Sequence, residues 1–246
     1  APAFPPGQTL RIPIDVPLPP GVYLGSRSSY YNAVVMNNEG RYAGQHLNVY
    51  STGIHVIWST DWKILGAAYK MHLLQGFAYV QQDRTSPLPP AARGNASQIA
   101  PANLKLHFVD LSWSLGGDLY ANLGFGIFLP TGSWSPTAPV NIGANFWTFE
   151  PTAALTYFRF PWSATQHAVY DINTPNRHNR YLSGDQLFLN ATLTRNIAGF
   201  NIGPVAYWQK QGTADYNGGG RATFGGMTAP RPGQYGVGGA MGRELG

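Results

Sequence analysis

Residues 118–130 read DLYANLGFGIFLP, and every second residue from Leu119 is apolar: Leu119, Ala121, Leu123, Phe125, Ile127 and Leu129. The interleaved set, Tyr120, Asn122, Gly124, Gly126 and Phe128, is smaller and more polar. A period of two belongs to a β-strand with unlike faces. Ten segments of this kind are expected: 21–35, 44–58, 63–81, 103–114, 118–129, 144–160, 164–172, 183–196, 199–210 and 233–242. Several exceed the roughly 5–6 residues usual for globular strands. Lengths near ten or more suit a tilted crossing of a bilayer.

The connections constrain the fold further, because short and long ones alternate. STDW, LGG, PWS and IA are tight, whereas residues 82–102, 130–143, 173–182 and 211–232 are long. Tight turns at one end and long loops at the other are the layout of outer-membrane barrels. Closure of such a barrel satisfies every backbone polar group in lipid. The expected fold is therefore an all-β, transmembrane antiparallel β-barrel. Its Leu119 face would meet lipid and its Tyr120–Asn122 face a lumen. Trp58, Trp62, Trp113, Trp147, Tyr157, Trp162 and Trp208 lie near strand ends, where amphipathic rings favour the membrane interface.

Individual strands add detail. Leu104, Leu106 and Phe108 share one phase, but Val109, Leu111 and Trp113 take the other, so a bulge is expected near Phe108. The first twenty residues hold seven prolines, which cannot complete sheet ladders. Residues 1–20 thus read as an arm and 21–246 as the barrel. The arm carries Phe4, Leu10, Ile12 and Ile14, which a partly apolar lumen would shelter. These residues are the expected gate.

Composition excludes other classes. Only 11% of the chain is charged, against roughly 25% in ordinary soluble domains. The formal charge of +5 comes without a basic run or stripe, so nucleic acid is not an expected partner. There is no cysteine, and hence no disulfide or thiolate site. The six histidines form no close pair on any one strand face and no HExxH motif occurs, so neither a metal nor a cofactor is expected. NAS at 95–97 and NAT at 190–192 match the glycosylation pattern and are short enough to be chance.

The face assigned to the lumen carries Lys70, His72, Lys105, His107, Tyr120, Asn122, Glu150 and Asn190. Phe128, Phe158 and Phe188 lie on the same faces. Buried charges are normally paired, so Glu150 is expected to neutralise Lys70 or Lys105. A lumen this mixed favours small, partly apolar solutes over a water-filled pore.

Three ordered motifs carry a family resemblance. They are Trp147, Glu150, Pro151, Ala154, Thr156 and Tyr157; then Tyr181, Ser183, Gly184 and Asp185; then Phe200, Gly203, Tyr207, Gln211 and Asp215. With PPGVYLG and YYNA near the start, the chain resembles the outer-membrane channels named for the meta-pathway of phenol degradation. The resemblance implies a twelve-stranded monomeric barrel, a proline-rich segment in the lumen and uptake of small hydrophobic compounds. It supplies no catalytic residue. Ten strands are counted against twelve implied, so either a further hairpin completes the barrel or it closes with ten.

The expected function is passive uptake of small hydrophobic, mainly aromatic, molecules through the bacterial outer membrane. The expected partners are those solutes and outer-membrane lipid. A lipid-modifying barrel enzyme and a non-conducting structural barrel are the alternatives. No nucleophile–base arrangement supports the enzyme.

Overall fold

A computed structural model describes residues 16–37, 39–229 and 231–243. Phe4, Leu10, Ile12 and Ile14 lie outside these residues. All ten expected segments form strands, as β1 (Gly21–Met36), β2 (Tyr42–Ile64), β3 (Ala67–Arg84), β5 (Leu104–Gly116), β6 (Leu119–Leu129), β7 (Thr148–Arg159), β8 (Trp162–Asn173), β10 (Gln186–Ile197), β11 (Phe200–Gln211) and β13 (Gly233–Arg243). They make one curled antiparallel sheet in the order β1-β2-β3-β5-β6-β7-β8-β10-β11-β13. Two features arise inside the long connections. β4 (Gly94–Pro101) pairs with the far half of β3, and β9 (Tyr181–Leu182) pairs with β12 (Tyr216–Asn217).

Three tight turns share one backbone solution. Leu65 and Gly66 have φ of 52° and 77°, Gly117 and Asp118 61° and 66°, and Ala198 and Gly199 52° and 82°. Two consecutive positive φ angles are the hairpin geometry that matches strand twist. The first of these corrects an expectation. STDW at 59–62 is not the turn, because β2 runs on to Ile64. The Thr60 hydroxyl bonds the Tyr69 carbonyl and accepts from the Trp62 amide, while the Trp62 ring stacks on Tyr69, so the ladder survives as an irregularity between Ser59 and Lys63. The bulge expected near Phe108 is present, as the β5–β6 register shifts between His107 and Val109.

The curl gives the sheet two unlike faces. On the convex face Leu123, Leu155, Leu189 and Ile202 are exposed. Phe125 sits between Phe108 and Phe149 on the same side. Trp58, Trp62, Trp113, Tyr157 and Trp162 edge this apolar band at the tight-turn end. Tyr30, Tyr50, Tyr79 and Tyr235 edge it toward the long loops. An apolar band between two aromatic girdles is the pattern that membrane barrels turn toward lipid. The concave face holds the buried residues, polar and apolar together.

Candidate functional site

Strand register assembles the concave face in rungs. One rung runs from His72 on β3 through His107 on β5 and Gly126 on β6 to Glu150 on β7. The next runs through Lys70, Asp110, Gly124, Thr152, Val169, Phe188 and Gln209. A third joins Ser112, Asn122, Ala154, His167 and Asn190. Each residue reaches this face because period-two alternation turns its neighbour toward the convex side.

Buried charges here are paired. Lys105 Nζ donates to Glu150 Oε1, which settles the partner left open by sequence. Lys70 Nζ lies 3.6 Å from Asp110 Oδ1. Asn122 Nδ2 donates to Asp110 Oδ1 and, at 3.0 Å, to Ser112 Oγ. His72 Nε2 lies 2.9 Å from Asp110 Oδ2, and His72 Nδ1 lies 3.1 Å from His55 Nε2. With the His72 proton on Nε2 toward the carboxylate, Nδ1 is free to accept from His55. The rings of His72 and His107 follow at 5.4 Å. A chain His55–His72–His107 thus crosses three strands.

Glycine makes room for it. A Cβ on Gly124 would run into the His107 ring and Thr152 Oγ1, and one on Gly126 would come within 3.0 Å of His107 Nδ1. These two glycines of GFG let the imidazole lie across β6 toward β7. Beyond the charged groups, Val169 and Phe188 form an apolar island. Beside it, Gln234 Nε2 donates to Gln209 Oε1 at 2.7 Å, and Gln209 Nε2 donates to Gln186 Oε1. Asn190 is buried, and neither atom of its amide bonds to a protein group among the described residues.

Of the sequence-selected lining residues, Lys70, His107, Asn122, Phe128, Glu150, Phe188 and Asn190 are buried on the concave face, and His72, Lys105 and Tyr120 are half-buried there. Phe158 shares the face but is exposed at the tight-turn end of β7. Sequence reasoning missed His55, Asp110 and His167. The three-strand histidine contact depends on register, which alternation within one strand does not reveal. Among the described residues no group of three or more His, Cys, Asp or Glu could hold a metal ion.

The motif residues at the long-loop end build a clamp. Asp215 accepts hydrogen bonds from Tyr181 Oη at 2.5 Å, the Gly184 amide at 2.8 Å and Gln211 Nε2 at 2.7 Å. Asp185 accepts from the Asn173 amide at 3.2 Å, and its own amide donates to Thr213 Oγ1 at 2.8 Å. Gly184 is required because a Cβ there would strike the Thr213 carbonyl. Burial, together with the bond to Asp215, raises the Tyr181 phenol above its ordinary pKa. Two long loops are thereby tied over one end of the concave face.

Residues 32–241 match the family model for the MetA-pathway of phenol degradation. The chain belongs to that family. Within the matched residues, Glu150 belongs to the buried ion pair of the concave face, and Tyr181, Gln211 and Asp215 to the clamp. The fold is similar to the crystal structure of an outer membrane channel from Pseudomonas putida F1, with 13% identity and a TM-score of 0.65 over 88% of this chain and 79% of that one. Likeness at this identity is a likeness of fold. No curated protein sequence matches the chain.

Proposed function

We propose that this member of the phenol-degradation family is a monomeric outer-membrane channel for passive uptake of small hydrophobic, chiefly aromatic, molecules, and not an enzyme. The observation that carries the reading is the contrast between the two faces. The convex face is an apolar band fit for lipid. The concave face mixes neutralised ion pairs with Phe128, Val169 and Phe188. Such a face confronts an aromatic solute with little uncompensated charge.

Two further parts complete the proposal. The curled sheet forms part of a closed barrel, since open β1 and β13 edges in lipid would leave backbone groups unpaired. The proline-rich arm, residues 1–20, enters the lumen and narrows it, with Phe4, Leu10, Ile12 and Ile14 as the gate. In support, Val16, Pro17 and Leu18 are half-buried, and Ser59 Oγ on the concave face donates to the Leu18 carbonyl at 2.9 Å.

Burial of Val169, Phe188 and Glu150 favours one competing reading, a closed structural barrel. Uptake of a labelled aromatic solute by cells with and without the protein, at low solute concentration, separates the two. Faster uptake with the protein supports the channel. Unchanged uptake rejects it.

A further inference from the structure

Beyond the tyrosine girdle the convex face changes character. β1, β2, β3 and β4 continue toward the long-loop end, and most outward side chains of β2, β3 and β4 become polar, while Val34 of β1 stays apolar and exposed. Asn32 Nδ2 donates to Asn48 Oδ1 at 2.6 Å, and Tyr30 Oη donates to the same oxygen at 3.0 Å. The Tyr30 and Tyr50 rings pack 4.8 Å apart just below. His46 Nδ1 lies 3.9 Å from the Asp83 carboxylate, to which Gln81 Nε2 donates at 3.3 Å.

β4 extends this surface. Ile99 stands opposite Tyr79, Ser97 opposite Gln81 and Asn95 opposite Asp83. Over these paired strands lies a shallow, open depression of about 220 Å³, bordered by Tyr79, Gln81, Asn95, Ala96 and Ser97. It lies below the roughly 300–1,000 Å³ of drug-sized pockets and suits a single ring.

We propose that this depression docks one uncharged core-sugar ring, beyond the lipid A disaccharide, of an outer-leaflet glycolipid. A pyranose has an apolar face for the Tyr79 ring and a rim of hydroxyls. Gln81, Asn95 and Ser97 supply both donors and acceptors for such a rim. No Lys or Arg borders the depression, and the carboxylate beside it is that of Asp83, so an uncharged sugar fits better than a phosphate. The occupant follows from continuity with the lipid-facing surface. Exposed Ile99 and Tyr79 join the depression to the apolar band. A lipid with its acyl chains on the band would therefore present its headgroup here.

The inference rests on the outer-membrane reading, and the experiment separates the two. Purified full-length protein is mixed either with rough lipopolysaccharide bearing core sugars or with lipid A stripped of them. Retention is followed by native mass spectrometry. Wild type is expected to retain the sugar-bearing probe preferentially, and Gln81→Leu/Ser97→Val to lose that preference. Asn95→Ala serves as a milder variant should the double variant misfold, and is expected to weaken it. Equal retention of both probes, an unaltered preference in both variants, or a dimer formed through this face would overturn the proposal. Cell fractionation tests the location alone: absence from the outer membrane would refute the membrane reading whatever the sugar preference in solution.

Discussion

Replacing Leu123 by Arg tests which face of β6 meets lipid, and the structure fixes the expected magnitude. β6 runs from Leu119 to Leu129, with Leu123 exposed on the convex side. At about 3.4 Å per residue and a tilt of about 40°, Leu119 to Leu129 spans roughly 26 Å of membrane normal. Leu123 then sits about 10 Å from the tight-turn end, roughly 3 Å from the midplane. Arginine at the midplane costs about 2–4 kcal/mol, falling to about 0–1 near an interface. Leu123→Arg should therefore destabilise by about 2–4 kcal/mol, and Leu129→Arg by no more than about 1. Denaturant titration of the refolded protein in phospholipid vesicles reads both values. Equal costs at 123 and 129, or no cost at 123, would refute the assignment of this face to lipid.

Three more outcomes follow from the concave face and the clamp. Glu150→Leu removes the carboxylate partner of Lys105 and should cost about 3–5 kcal/mol, whereas Glu150→Leu with Lys105→Met should restore most of it; the same titration compares them. Gly124→Ala drives a methyl group against His107 and Thr152 and should cost about 1–3 kcal/mol, with His107→Ala added to the same chain recovering part of the loss. Asp215→Ala removes three hydrogen bonds, two of which join the two long loops, and should open 173–185 and 211–217 to protease on whole cells, while β-sheet content by circular dichroism stays unchanged.

Most strands are legible because one face is largely apolar, so alternation marks both their existence and their orientation, whereas β1, β8 and β13 alternate poorly. Leu187, Leu189, Ala191 and Leu193 against Phe188 and Asn190 mark β10 from its own residues alone. β4 escaped notice for a physical reason. NASQIAP has small and polar residues on both faces and lies inside a long connection, so nothing in it marks a buried side. The β2 hairpin was misplaced because the Thr60 bulge looks like a turn in sequence, whereas the reversal falls on Leu65 and Gly66. The His55–His72–His107 contact was illegible because it depends on register between strands, and the ladder slips at Lys70–His72 and at His107–Val109. Resemblance to the family pointed to Tyr181, Gln211 and Asp215 without a reason, and their bonding supplies one.

The concave face as the route of passage is tested most directly by blocking it. The chain has no cysteine, so one can be placed at will. Thr192 is half-buried on the concave face of β10, and Ala191 beside it is exposed on the convex face. Thr192→Cys and Ala191→Cys, each coupled to a bulky thiol reagent, are compared for uptake of a labelled aromatic solute by intact cells. Passage along the concave face predicts that labelling at 192 lowers uptake toward that of cells lacking the protein, and that labelling at 191 leaves it unchanged. Unimpaired uptake with 192 fully labelled, or equal loss at both positions, would contradict it.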